Sequence, residues 1–393
     1  MTQPQDPFIG RDILNGQFQI LQKIGSGGMG SVYKALQPAM NRMVAVKILH
    51  PKLTNRKDLA SRFRREARAM SHLTHPNTVK VFLYGELDDG SLYIVMEFLE
   101  GKNLNQSVRA EGPFPPERAI PILVQACGAL EEAHRAGIIH RDLKPENIFL
   151  CQQGGMKDYA KVLDFGLAKV TEREMRPGSV ILTQEGMVFG TPEFMSPEQA
   201  QGKSLTPASD IYSLAVILYE VLTGKLPFEA KNAMDYIQLH VHATPKPIHE
   251  RAPQKSFPPL LWKAIEKAMA KKPEDRYASA LDFAEALKAV LAGATELPPP
   301  SNGTAAVPAP AALPTPATPM KPSSAGAIKA AKDASPSPAS VAPRSNKDDK
   351  PSSSLPPVAA PAKSPLGLIV GVAIGCMVIG MLIAVLAMKA MGK

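Results

Sequence analysis

From Phe18 to Ile24 (FQILQKI) apolar and polar residues alternate with the two-residue period of a half-buried strand. The run leads straight into GSGGMG, and SVYKA beyond it continues with β-branched and aromatic residues. The glycines are therefore expected to turn a hairpin, not to open a helix. Met43–Leu49 (MVAVKIL) reads as the next strand, and Lys47 shares a face with Ala45, turned toward the glycine turn. In Lys57–Leu73 the residues Leu59, Phe63, Glu66 and Met70 follow one another at steps of four, three and four, the stripe of an amphipathic helix. Leu92–Glu97 (LYIVME) is a further strand. The pattern then changes to long helices, of which Glu117–Ala136 is apolar enough to be central. A short strand-like run, AKVL, ends just before Asp164.

This mixture of apolar and charged positions stops near Leu297. The text becomes rich in Pro, Ala and Ser (PPPSNGTAAVPAPAALPTPATP) and nearly free of aromatic or branched apolar residues. Such a segment buries too little apolar surface to offset its ordering entropy and is expected to stay extended or disordered. It gives way to Leu366–Met388, 23 residues without a charge. As a helix these would span about 35 Å, enough to cross a ~30 Å hydrocarbon core. The five residues after it include two lysines, which reads as a tail anchor.

Charge and cysteine usage narrow the function classes. Of the formal net charge of +9, residues 297–393 hold nine Lys/Arg against three Asp, so only +3 remains for the body. No basic run interleaved with aromatics occurs there, which argues against nucleic acid as a partner. Cys127, Cys151 and Cys376 form no CxxC pair and no zinc-ligand spacing, as suits a reduced compartment. The N-terminal MTQPQDPFIGRDIL lacks the basic segment and apolar core of a signal peptide.

The candidate chemistry lies between these elements. Gly25, Gly27 and Gly30 have the G-x-G-x-x-G spacing that lets backbone N–H groups approach phosphate oxygens. Dinucleotide-binding folds share that spacing, but they need a helix directly after the glycines and an acid about 20 residues on. The Walker pattern is absent as well. Lys47 in an apolar strand needs a partner, and Glu66 on a face meant for burial could satisfy it, leaving the ammonium aimed at phosphates. In Ile138–Leu150 (IIHRDLKPENIFL), Asp142, Lys144 and Asn147 crowd a carboxylate, an ammonium and an amide into one loop. With Asp164 they could bind Mg²⁺ and orient a hydroxyl: Asn147 and Asp164 on the metal, Asp142 on the hydroxyl proton, Lys144 on the charge of the transferred group.

These motifs, GSGGMGSV, VAVK, Glu66, HRDLKPEN, DFG, GTPEFMSPE, DIYSLAVILYE and PEDRY, occur in the order found in eukaryotic-type protein kinases. The chain most resembles the bacterial (Hanks-type) serine/threonine kinases, from Phe18 to Leu291. The resemblance implies an α+β, two-lobed protein kinase fold: a small, mostly-β N-lobe and a helical C-lobe, with ATP between them. Residues 1–17 would be an N-terminal extension, 18–291 the kinase domain, 292–365 a disordered linker, 366–388 a transmembrane helix and 389–393 a short tail. Gly25, Gly27 and Gly30 would cover the phosphates, with Ile24 beside them, and Val32, Ala45 and Phe149 would sandwich the adenine. Lys47 would contact the α- and β-phosphates and pair with Glu66. Met96 would be the gatekeeper and Glu97–Leu99 the hinge. Asp142 would be the catalytic aspartate, and Asn147 and Asp164 the ligands of Mg²⁺, with Mn²⁺ as an alternative metal. Glu198 would pair with Arg276, and Asp210 would brace the catalytic loop. Lys144 and Thr191 mark an acceptor class of serine and threonine.

The resemblance further implies control by phosphorylation. Arg141 lies where a basic pocket can bind a phosphorylated activation loop, with Thr183 and then Ser179 as the candidate sites. Bacterial relatives often carry a second threonine where Glu185 stands here. Many receptor kinases place a sensor domain beyond their single span, whereas here only KAMGK follows it. The kinase domain would then be cytoplasmic on a single-pass anchor. The linker of some 69 residues would give it a reach on the order of 45 Å over membrane-bound protein substrates. Gly367, Gly371 and Gly375 form a GxxxGxxxG face through which two copies could dimerise for trans-autophosphorylation. Two alternatives compete. One is a catalytically inactive, membrane-tethered pseudokinase scaffold, and the other is an interaction protein that recruits partners through its Pro-rich segment.

Overall fold

The computed structural model describes residues 6–27, 30–49, 57–165 and 191–299, all within the compact unit Met1–Thr315. Ser179, Thr183, Glu185, the linker and the apolar segment 366–388 lie outside the described residues. Among the described residues no helix is long and apolar enough to cross a membrane.

Six strands build the first sheet: β1 (Asp12–Ile13), β2 (Phe18–Gly27), β3 (Gly30–Gln37), β4 (Arg42–Leu49), β5 (Val81–Glu86) and β6 (Leu92–Glu97). Their order is β1-β2-β3-β4-β6-β5, and every neighbouring pair is antiparallel. The near-continuous apolar run of β4 follows from burial on both faces. Val44, Val46 and Ile48 join Phe18, Ile20 and Tyr33 on one side, while Ala45 and Leu49 join Phe63, Ala67 and Met70 of helix α1 (Lys57–Ser71) on the other. Lys47 belongs by alternation to the α1 side and is itself 9% exposed.

Residues 6–17 pack against the first sheet. β1 pairs with β2 through Asp12↔Gln19 and Ile13↔Phe18. Phe8 packs on Tyr33 with ring centroids 5.7 Å apart, and the Tyr33 hydroxyl donates to both Asp6 oxygens at 3.1 and 3.2 Å. The sheet face opposite α1 is apolar and needs a cover, which this segment helps to supply.

The second part is helical around a three-stranded sheet of β7 (Gly101–Asn103), β8 (Ile148–Gln153) and β9 (Met156–Val162). Helices α2 (Leu104–Glu111) and α3 (Pro116–Arg135) precede that sheet's last two strands. After them come α4 (Pro197–Ala200), α5 (Pro207–Thr223), α6 (Ala233–His242), α7 (Ile248–Arg251), α8 (Leu261–Ala268) and α9 (Ala280–Leu291). α5 is buried on nearly every side from Ser209 to Thr223, as a helix apolar all round should be. Asn103 and Gln106 close a capping box on α2, and Gly224 ends α5 in the left-handed conformation.

The connection from α1 to β5 moors the two parts together. The Glu132 carboxylate of α3 accepts from the backbone N–H groups of Thr74 and His75, and Asn77 Nδ2 donates to Ala160 O at 2.7 Å. A parallel bridge joins Thr78 to Val162, two residues before Asp164. Cys127 is buried and Cys151 half-buried, both as free thiols.

Candidate active site

The glycine motif forms a hairpin, with Gly25 opposite Val32 and Gly27 opposite Gly30. The three glycines do not share one role. A Cβ on Gly27 would meet nothing within 4 Å, and one on Gly25 only the side chain of Val32. One on Gly30 would lie 2.2 Å from Ile48 O, so the close approach of β4 by itself requires a glycine there. Ile24, just before the turn, is 46% exposed.

Lys47 does not pair with Glu66 as the sequence led us to expect. Its Nζ donates to Asp164 Oδ1 at 2.7 Å, while Glu66 Oε1 lies 3.9 Å from Arg141 Nη1. Two carboxylates compete for one ammonium, and the backbone decides between them. Asp164 takes a φ of 56°, two residues beyond the end of β9, and its carboxylate lies within hydrogen-bond reach of β4. Burial opposes ionisation of Asp164, but Lys47 and, with it, His140 and Lys144 outweigh burial and hold the carboxyl below its ordinary range.

The loop before β8 gathers the remaining groups. Lys144 Nζ bonds Asp142 Oδ2 at 2.8 Å and Thr191 Oγ1 at 3.3 Å. Asn147 closes a short 3-10 turn (Pro145–Asn147), and its Nδ2 donates to Asp142 O at 2.7 Å. The backbone is strained at Arg141, where φ is 71° and the Asp142 N–H donates back to His140 O at 2.9 Å. Asp210 of α5 braces this turn, as expected. Its Oδ2 accepts from His140 N at 2.8 Å and its Oδ1 from Arg141 N at 3.0 Å. His134 Nε2 lies 2.8 Å from the same Oδ2. Burial would raise the Asp210 carboxyl, yet His134 and His140 hold it below its ordinary value. His140 in turn bonds Leu163 O through Nε2 at 2.8 Å and packs on Phe165 with centroids 5.0 Å apart.

On the base side, Ala45 and Met96 are partners across β4 and β6, and both are buried. Val32 and Leu99 are half-buried, as is Phe149, which faces Asn103 and Lys161 across its sheet. Glu97 is held firmly: its Oε1 accepts from Lys80 N at 2.8 Å and from Lys161 Nζ at 2.7 Å. Lys161 is buried, while the Glu97 side chain is 24% exposed.

A divalent metal would find oxygen donors here. Among the described residues no three or more His, Cys, Asp or Glu side chains cluster to hold a metal ion. Asn147 spends its Nδ2 on Asp142 O, which leaves its amide oxygen as a donor, and its backbone carbonyl accepts from Leu163 N, the residue before Asp164. One carboxylate and one amide oxygen, completed by substrate phosphates, suit Mg²⁺, which rarely takes an all-protein cage. The residues fit that ion.

Arg276 and Glu198 form the expected pair, bidentate at 2.8 and 2.8 Å and buried. His134 and Lys161 were not legible as site residues, because neither stands in a pattern that separates it from a packed helix or strand position. Glu220 was missed as well. Burial, and then the charge of Glu146, push its carboxyl up to about 7. Glu146 and Glu193 each keep a buried oxygen without a hydrogen-bond partner among the described residues.

Comparison with known proteins gives a consistent result. A family model described as "Protein kinase domain" matches residues 18–289. The chain is 41% identical over 289 residues to serine/threonine-protein kinase pkn3 of Myxococcus xanthus, covering 74% of this chain and 52% of that protein. It is 40% identical over 281 residues to serine/threonine-protein kinase PrkC of Bacillus subtilis, covering 72% and 41% respectively. The chain thus spans about half the length, or less, of these relatives. Among solved structures, the Mycobacterium tuberculosis PknI kinase domain shares the fold, with a TM-score of 0.55 at 24% identity over 72% of this chain and 98% of that one. Rad53 in complex with AMP-PNP aligns with a TM-score of 0.55 at 26% identity, covering 69% of this chain and 65% of that one.

Proposed function

Because the chain belongs to the protein kinase domain family, we propose that it transfers the γ-phosphate of ATP to serine and threonine hydroxyls of proteins. The observation that carries this reading is the convergence of Lys47 on Asp164 and of Lys144 on Asp142 and Thr191. Asp142 orients the acceptor hydroxyl and takes its proton. Lys144, 2.8 Å from that carboxylate, neutralises charge on the transferring group and holds Thr191 beside the acceptor. Lys47 binds the α- and β-phosphates, and Ala45, Val32 and Phe149 enclose the base next to Glu97–Leu99. Mg²⁺, held by Asn147 and Asp164, would offset the phosphate charge, with Mn²⁺ as a substitute. The full set of lysine, aspartate and metal donors favours an enzyme over a pseudokinase scaffold. Incubating the chain with Mg²⁺, ATP and mixed Ser, Thr and Tyr peptides tests the reading. Phosphoserine and phosphothreonine without phosphotyrosine are expected, and a tyrosine product or none would refute it.

The wider organisation belongs to the same proposal. Leu366–Met388 anchors the kinase domain to the membrane on its cytoplasmic face, and the Pro/Ala/Ser linker lets it reach membrane-bound substrates and other copies. Autophosphorylation falls on Thr183 first and Ser179 second, with Glu185 supplying a fixed negative charge, and pairing through Gly367, Gly371 and Gly375 brings two chains together. Support comes from the charge-free 23-residue stretch and the glycine spacing. Flotation with liposomes, with and without residues 366–388, decides the anchor: loss of flotation on deletion is expected, and flotation of the deleted chain would refute it.

A further inference from the structure

The direction of the Asp142 side chain is set by the peptide that precedes it, and that peptide is strained. Arg141 has a φ of 71°, and the hydrogen bond from Asp142 N to His140 O spans it in three residues. This is the φ of the classic γ-turn, a rare and strained conformation that persists only when its surroundings over-determine it. The bonds that do so can be traced group by group. The N–H of Arg141 goes to Asp210 Oδ1 at 3.0 Å, and the carbonyl of Asp142 receives Asn147 Nδ2 at 2.7 Å. The carbonyl of Arg141 receives Gln199 Nε2 at 2.8 Å. Gln199 lies on α4, whose next-door residue Glu198 is fixed to Arg276 by two bonds of 2.8 Å. Ser196 caps the same helix through Gln199 N at 3.3 Å. The donor therefore sits on an element that is itself pinned.

We propose that Gln199 is a positioning residue for Asp142: its amide holds the Arg141 carbonyl and keeps the Arg141–Asp142 peptide from rotating out of the strained turn. Rotation of that peptide would break the bond from Asp142 N to His140 O that closes the turn and would re-aim the Asp142 carboxylate away from Lys144. The inference rests on the kinase reading for its catalytic consequence but not for its structural one, and the two are separable by experiment.

Gln199→Met keeps the length of the side chain and removes the donor. Gln199→Glu keeps the shape and sets an acceptor against a carbonyl. Gln199→Lys restores a donor of similar reach. In the full chain, the first two are expected to lower kcat at least tenfold, leave KM for ATP within twofold and leave the melting temperature within 2 °C. Gln199→Lys is expected to recover most of kcat. Hydrogen exchange of peptides covering residues 138–147 is expected to quicken about tenfold in Gln199→Met and nowhere else. A kcat within twofold of wild type, unchanged exchange in that loop, or parallel losses of kcat, ATP affinity and melting temperature would each overturn the proposal. A wild-type chain that transfers no phosphate would refute the kinase reading, while the exchange arm would still decide the role of Gln199.

Discussion

The ion pair between Glu198 and Arg276 offers a stability prediction that can be worked from the coordinates. The Arg276 side chain is fully buried and that of Glu198 is 5% exposed, and two parallel bonds of 2.8 Å join them. Glu198→Gln removes the neutralising charge and leaves the guanidinium with three carbonyls, Ala270 O, Ala208 O and Lys271 O, at 2.7, 2.8 and 3.1 Å. Breaking a buried pair by removing one partner costs about 3–5 kcal/mol, and the three remaining acceptors place this case near the lower end. For a unit of this size the loss corresponds to roughly 6–12 °C in melting temperature. Burial opposes ionisation of Glu198, but Arg276 outweighs it and holds the carboxyl below its ordinary range. A depressed carboxylate contributes stability that is full above its unfolded pKa and is lost as pH falls through the folded one. The wild-type chain should therefore lose this contribution on acidification below about pH 4.5, and Glu198→Gln should not. Thermal unfolding of the full chain followed by circular dichroism measures both effects. A drop of less than about 3 °C for Glu198→Gln would refute the reasoning.

Other substitutions probe the site more directly. Glu220 carries a carboxyl pushed up to about 7 from 4.5, so its folded form binds the proton more tightly and stability should fall as pH rises between those values. Glu220→Gln should remove that slope and raise stability at pH 8 by about 2 kcal/mol, read from urea unfolding at pH 5 and pH 8. Lys161→Met breaks the half-buried bond to Glu97 and should raise KM for ATP about tenfold with kcat little changed, as steady-state kinetics would show. Asp210→Ala leaves two backbone N–H groups and His134 without their shared acceptor and should lower kcat by about a hundredfold or more, with peptide phosphorylation as the assay.

How much of this was legible in the sequence depends on whether a residue's role is local or tertiary. The strands around Lys47 were readable because β4 is buried on both faces and so shows as an apolar run interrupted only by Lys47. The partner of Lys47 was not: the sequence pointed to Glu66, and only the turn after β9 brings the Asp164 carboxylate within reach. Gly30 stood in the motif for phosphate contact, yet a backbone oxygen 2.2 Å from its missing Cβ explains it first. Residues 6–17 carry too few apolar positions to announce that they cover a sheet face. His134 and Gln199 lie on helices, where a polar residue gives no sign of the backbone group it will meet. Glu198 and Arg276, 78 positions apart, were paired only through the family resemblance.

The central claim, that Asp142 and its neighbours transfer phosphate to hydroxyls, is tested most directly by one comparison. The full chain and its Asp142→Asn variant are incubated with ATP and Mg²⁺, and the phosphorylated positions are mapped by mass spectrometry. The account predicts phosphate on serine and threonine, Thr183 foremost, in the wild-type chain and none in the variant. Equal incorporation in both chains, or none in either, would contradict it.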